Sequence, residues 1–100
     1  MTRVSVHLPS SQLAEICQRH GIARLSLFGS VLREDFGPDS DVDMLVEFLP
    51  GVRCGLLGMA RIERELAELI GRPVDLRTPA ELSRYFRDKV IAGALQQYAA

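Results

Sequence analysis

The sequence predicts an α+β fold, in which helices pack against a small sheet. Helical and extended hydrophobic patterns alternate along the chain, as in helix-on-sheet folds. The chain has 100 residues, 47% hydrophobic and 25% charged, which suits one globular core. No hydrophobic run approaches the roughly 18 residues of a membrane span. We therefore expect no membrane association and a single domain over residues 1–100, with residues 1–9 as a possible extended arm.

The first half of the chain combines helical and strand patterns, separated by glycine-containing turns. Gly21 is expected to end the first helix, because glycine readily adopts the left-handed conformation found at helix ends. The strongest strand follows the turn at 37–40, since its residues alternate along a hydrophobic face. The predicted elements are a helix with Ser10 or Ser11 as its N-cap, a strand over 24–28, one or two helical turns over 31–35 and a strand over 41–48.

The second half continues the alternation. Hydrophobic residues recur every three or four positions from residue 55 to residue 70, which predicts an amphipathic helix that ends at Gly71. A short strand is predicted over 73–77. Residues 80–95 are predicted to form a last helix, with Phe86 on its hydrophobic stripe and in the core.

Charge and cysteine content narrow the class of protein. Twelve basic and 13 acidic residues give a net charge of −1, which argues against direct nucleic-acid binding. Two cysteines, Cys17 and Cys54, are too few for a disulfide framework, and the N-terminus lacks the apolar stretch of a secretory signal. We expect a cytoplasmic protein with free thiols. A zinc site with His20 is disfavoured, because the paired ligand spacing is missing.

Gly29 and Ser30 lie at the junction of a strand and a predicted helix. Glycine allows a sharp turn and a close approach of ligand to backbone, and a helix start presents unpaired N–H groups to a phosphate. Arg33, three residues further along, could add a charged contact. The pair by itself is typical of an ordinary turn as well as of a phosphate site.

Asp41 and Asp43 open a strand that is otherwise apolar. Strand alternation places both carboxylates on one side, with Cα atoms roughly 6.5–7 Å apart. Like charges this close are unfavourable without a cation, and Mg²⁺ suits two carboxylates. A solvated strand end with two surface aspartates is the alternative.

Asp75 lies between apolar residues in the predicted strand 73–77. If this strand neighbours the strand of Asp41 and Asp43, the three acids can hold two metal ions. Two Mg²⁺ ions can clamp the attacking and leaving oxygens of a phosphoryl displacement.

Two segments resemble a known family. Leu27-Phe28-Gly29-Ser30, ten residues and then Asp41-Val42-Asp43 resembles the signature of DNA polymerase β-like nucleotidyltransferases. The segments LFGSVLREDFGPDSDVDMLVEF and GRPVDLRTPAEL are similar to the minimal nucleotidyltransferase (MNT) family, and the similarity spans residues 10–95. The resemblance implies that family's fold, a small mixed sheet flanked by helices.

The resemblance also implies an activity. It implies that Asp41, Asp43 and Asp75 bind Mg²⁺, and that Gly29 and Ser30 hold the nucleotide phosphates. Family members commonly act as the antitoxin beside a HEPN-domain ribonuclease toxin. We therefore expect a hetero-oligomer in which AMP passes from ATP to a tyrosine of the toxin.

Two other functions stay open. The chain could neutralise its partner by binding alone, an alternative favoured by its small size and by Glu34, where the family usually has glycine. It could also transfer a nucleotide to RNA or to a small molecule. The near-neutral charge and the lack of an accessory domain argue against this last function.

Overall fold

The fold alternates helices and strands as expected. The structure, a computed structural model, describes residues 8–32, 37 and 40–100, so most of the arm expected over 1–9 lies outside the described residues. No helix in this described part is both long and apolar enough to cross a membrane. Its elements are α1 (Ser10–His20), β1 (Ile22–Phe28), β2 (Val42–Phe48), α2 (Leu56–Ile70), β3 (Val74–Arg77), α3 (Arg87–Gly93) and β4 (Leu95–Ala99).

The four strands form one mixed sheet in the order β3-β2-β1-β4. β1 runs antiparallel to both β2 and β4, whereas β2 and β3 are parallel. The end of β1 and the starts of β2 and β3 consequently lie side by side, along the border of the sheet that runs across the strand ends. We call this the acidic edge, since Asp41, Asp43 and Asp75 belong to it.

The core lies between one face of the sheet and the helices α1 and α2. Strand residues alternate, so every second residue of β2 and β3 enters this core and the residues between them face the other side. In β1 an irregularity between Ile22 and Arg24 shifts the alternation, and Ile22, Leu25 and Leu27 are its core residues. Burial removes apolar surface from water and stabilises the fold. The fully buried strand and helix residues of this core include Leu25, Leu27, Val42, Met44, Val46, Leu13, Cys17, Ile62 and Leu66.

Both predicted helix stops are confirmed. Gly21 and Gly71 follow α1 and α2 with φ angles of 69° and 71°, a region that glycine enters without strain. The start of α1 differs in detail from the expectation. Pro9 occupies the N-cap position before Ser10, and no side chain caps the helix.

The helix predicted over residues 80–95 is confirmed only over Arg87–Gly93 and is wrong for the remaining residues. A 3₁₀ turn (Pro79–Glu81), the short helix α3 and the strand β4 replace it. β4 pairs with the otherwise open edge of β1, where Tyr98 is the partner of Leu25, and backbone pairing outweighs the local helical pattern. Phe86, expected in the core, is 50% exposed, whereas Tyr98 packs against the core.

The segment between β1 and β2 is only partly described. A 3₁₀ turn (Gly29–Leu32) follows β1, and residues 33–36, 38 and 39, which include Arg33 and Glu34, lie outside the described residues. At the predicted turn, the Ser40 N–H donates to the Gly37 carbonyl over 3.1 Å, and the Gly37 N–H donates to Ser40 Oγ over 3.2 Å.

Candidate active site

Asp43 and Asp75 are register partners in the parallel pair of β2 and β3. Register partners point to the same face of the sheet, and neighbouring strands lie about 4.8 Å apart, so the two side chains lie close together. This is the strand adjacency on which the predicted three-acid site depended. Asp41 lies just before β2, two residues from Asp43, and is exposed.

Gly29 lies at the acidic edge directly after β1, beside Asp43. Its φ of 71° is left-handed, and a Cβ added there would lie 2.5 Å from Asp43 Oδ2. Two features favour glycine here: the left-handed backbone, and the Asp43 carboxylate, which lies where a side chain would begin. Ser30 follows in the 3₁₀ turn, and Arg33 lies outside the described residues.

Arg77 provides a cation at the acidic edge. Its Nε and Nη2 lie 3.2 and 3.4 Å from the two carboxylate oxygens of Asp75. The hydrogen bond and charge of Asp75 raise the pKa of Arg77, and the charges of Glu81 and Asp43 act in the same direction. No motif or spacing in the sequence indicates this role of Arg77.

The arrangement of the carboxylates decides which of them suit a metal ion. Within residues 8–32, 37 and 40–100, no three His, Cys, Asp or Glu side chains are placed to hold one ion together. At Asp75, both oxygens contact Arg77 instead. Mg²⁺ usually takes only one or two protein carboxylates and completes its shell with phosphates and water. Asp41 and Asp43 are two such carboxylates and therefore suit an ion of this kind.

Arg72 fastens the loop that leads to Asp41. Its Nη2 donates to the carbonyl oxygens of Gly37 and Ser40, the latter over 3.1 Å. The next residue, Pro73, accepts a hydrogen bond from the Val42 N–H over 2.9 Å. The start of β3 thus holds the start of β2 and fixes where the acidic residues emerge.

A cavity of about 440 Å³ opens beside Asp43. α3 contributes hydrophobic and cationic side chains to one wall, and β1 with the 3₁₀ turn contributes the other. This wall was not predicted from the sequence, because the helical spacing of residues 80–95 indicates one longer core helix in place of α3. The sequence feature that could have pointed to this wall is Lys89, the sole lysine among 12 basic residues. The lining residues are Phe28, Gly29, Leu32, Asp43, Phe86, Lys89, Val90 and Gly93.

Two residues of the disfavoured zinc site, Cys17 and His20, lie in structural surroundings. Cys17 is fully buried in the core, and burial raises the pKa of its thiol to about 11. His20 Nε2 instead lies 2.8 Å from Glu65 Oε2, in a pair that joins α1 to α2.

Comparisons with known proteins agree with the fold described above. Residues 10–97 match the model of the family described as "Nucleotidyltransferase domain". The chain is 34% identical, over 84 residues, to the protein named "Putative protein adenylyltransferase MJ0435" of Methanocaldococcus jannaschii. That alignment covers 84% of this chain and 88% of the relative.

Solved structures share the fold. One described as a "putative minimal nucleotidyltransferase" is 36% identical, with a TM-score of 0.70 and coverage of 86% of each chain. A toxin-antitoxin structure with AMP-PNP gives a TM-score of 0.71 at 18% identity, covering 93% of this chain and 75% of that one. A complex of a tri-AMPylated Shewanella oneidensis HEPN toxin with an MNT antitoxin gives 0.64 at 17% identity, covering 91% and 70%.

Proposed function

The chain belongs to the nucleotidyltransferase domain family, and we propose that it transfers AMP from ATP to a tyrosine of a HEPN-domain toxin, as the antitoxin of that pair. The observation that carries this proposal is the acidic edge. Asp43 and Asp75 are register partners there, and Gly29 turns the chain against the Asp43 carboxylate. The names of the adenylyltransferase relative and of the toxin-antitoxin neighbours support the choice of reaction and partner.

Asp41 and Asp43 are the proposed ligands of Mg²⁺, and Asp75 completes a site for two ions. Their carboxylates are hard oxygen donors, which Mg²⁺ prefers. When bound, the ions neutralise phosphate charge and help to activate the attacking hydroxyl. Here the protein contributes mainly position and charge rather than covalent steps.

ATP is the proposed donor, bound along the turn and the neighbouring cavity. Gly29 and Ser30 offer backbone to the phosphates, since the glycine lets a ligand approach closely. Phe86 and Val90 line the cavity and suit the flat apolar face of a base. Lys89 lines the same cavity and supplies a positive charge for phosphate oxygens.

The transfer breaks the phosphoanhydride bond between the α- and β-phosphates of ATP and forms a phosphate ester on the tyrosine. The tyrosine oxygen attacks the α-phosphorus of ATP, the bond to the β,γ-diphosphate breaks, and pyrophosphate leaves. Asp75 is the proposed acceptor of the tyrosine proton, because it lies beside Asp43 on the neighbouring strand. The cytoplasm, which supplies both ATP and Mg²⁺, is the proposed location.

Labelled ATP tests the proposal. We expect α-³²P from ATP to appear on a HEPN partner protein when the chain, Mg²⁺ and the partner are mixed. Asp43→Asn should reduce labelling at least a hundredfold, because one carboxylate of the acidic edge is lost. Asp88→Asn, an exposed aspartate of α3, is the matched control and should label normally.

Two results would contradict the proposal. One is an absence of label on the partner, together with full inhibition of its ribonuclease activity, which would identify a chain that neutralises by binding alone. The other is labelling that survives Asp43→Asn unchanged.

A further inference from the structure

Arg77 faces the acidic edge because of its position in β3. Residues two apart in a strand share a face, so the Arg77 side chain leaves the sheet on the side of Asp75. Leu45 is the register partner of Arg77, and these two residues form the next pair on the face that carries Asp43 and Asp75. A guanidinium is thereby built into the face that carries the proposed metal ligands.

The contact engages the whole Asp75 carboxylate. Nε of Arg77 lies 3.2 Å from Oδ1, and Nη2 lies 3.4 Å from Oδ2. Because both oxygens already contact the guanidinium, a metal ion that binds Asp75 would compete with Arg77 for the same carboxylate. A divalent ion at the acidic edge would also repel the guanidinium.

The pair is weak enough to exchange. Side-chain exposure is 39% for Asp75 and 47% for Arg77. Ion pairs this exposed contribute little free energy, because water screens them and two side chains must be held in place. A divalent ion can therefore displace Arg77 at modest cost.

We propose that Arg77 is the resident counter-ion of Asp75 and competes with the divalent metal for that carboxylate. Without metal, Arg77 neutralises Asp75 and keeps it out of the site. Metal binding frees Asp75 from Arg77, so that the third acid joins the site only when an ion is present. This inference rests on the proposed function, since it concerns the metal site of that function.

Mn²⁺ alone, without nucleotide or partner, is the probe. Electron paramagnetic resonance of free Mn²⁺ measures its affinity for the full chain. We expect Arg77→Ala to bind Mn²⁺ about two- to fivefold more tightly than the unaltered chain, as expected when an exposed ion pair no longer competes. Arg77→Gln keeps most of the side-chain length and repeats the test should the alanine variant unfold.

Two further variants isolate the cause. Arg61→Ala removes one positive charge from an exposed position in α2 and should leave the affinity unchanged. In an Asp75→Asn background, Arg77→Ala should tighten Mn²⁺ binding less than in the unaltered chain, because the contested carboxylate is gone.

The outcomes separate this inference from the proposed function. Mn²⁺ binding that depends on Asp43 but is unchanged or weakened by Arg77→Ala overturns the competition and leaves the proposed metal site intact. Mn²⁺ binding that Asp43→Asn does not diminish contradicts the proposed metal site itself. Mn²⁺ binding that Arg77→Ala tightens in the unaltered chain, and tightens less in the Asp75→Asn background, supports the competition.

Discussion

Glu63 of α2 accepts a hydrogen bond from the backbone N–H of Leu76 across 2.9 Å. Within the described part of the chain β3 is an edge strand, so its outer backbone groups have no further strand there to pair with. The Glu63 carboxylate takes the place of that missing strand. Because the bonded N–H follows Asp75 directly, this contact also steadies the segment that carries the third acid.

Glu63→Ala should therefore destabilise the fold. Loss of the acceptor leaves a part-buried N–H without its bond, which costs roughly 1–3 kcal/mol. Glu63→Gln keeps an acceptor oxygen and should lose less. Urea unfolding measures both, with the exposed Glu68→Ala on the same helix as control. Equal stability of the Glu63→Ala and Glu68→Ala variants would show that the contact adds nothing.

Gly29→Ala should lose activity out of proportion to stability. Gly29 and Gly71 share a φ of 71°, so alanine at either position should lower the free energy of unfolding by about 1–2 kcal/mol, the cost of the left-handed conformation. Only at Gly29 would the new Cβ collide, 2.5 Å from Asp43 Oδ2, whereas nothing lies within 4 Å at Gly71. Thermal unfolding and AMP transfer of the two variants check this. Similar activity in both would contradict an active role for the acidic edge.

Much of the fold could be predicted from local signals. The stops at Gly21 and Gly71 follow from glycine chemistry, and the alternation in β2 follows from its hydrophobic face. Asp75 drew attention because an acid in an apolar strand is unusual. Its register with Asp43 is a long-range relationship that no local pattern contains.

The C-terminal part shows what local patterns cannot reveal. Leu82, Phe86 and Val90 have helical spacing, yet residues 95–99 pair with β1, because an open strand edge is satisfied best by another strand. That pairing ends α3 at Gly93 and leaves Phe86 exposed beside the cavity. Tertiary pairing outweighed local propensity there.

Acid should weaken the contact between α1 and α2. Burial raises the pKa of Glu65, but the hydrogen bond and charge of His20 and the charge of Arg19 outweigh it, so the pKa lies below its usual 4.5. The unfolded chain then binds more protons near this pH. The contribution of Glu65 is thus present above pH 4.5 and is lost as pH falls through the lowered pKa.

Urea unfolding between pH 3 and pH 6 measures this effect. Glu65→Gln should flatten the fall in stability toward acid, whereas the exposed Glu68→Gln should not. Parallel curves for the unaltered chain and Glu65→Gln would refute the linkage.

The two thiols should differ in reactivity. Burial raises the pKa of Cys17 to about 11, so its reactive thiolate is scarce at pH 8, whereas Cys54 is only half-buried. We expect a disulfide reagent such as DTNB to modify one thiol per native chain and two after denaturation. Cys54→Ser should abolish the native reaction, and Cys17→Ser should leave it intact. Rapid reaction of both native thiols would be incompatible with a buried Cys17.

Lys89→Ala should weaken nucleotide binding without lowering stability. Lys89 is exposed and lines the cavity beside Asp43, so its removal costs no core packing. A hydrogen bond to a charged group contributes about 1.5 kcal/mol, which corresponds to roughly a tenfold rise in the Kd for AMP-PNP. Calorimetric titration with Mg²⁺ and AMP-PNP measures the change, and Arg61→Ala controls for loss of one exposed charge. An unchanged Kd in Lys89→Ala would place the phosphates outside this cavity, because a cation in contact with them cannot be removed without cost.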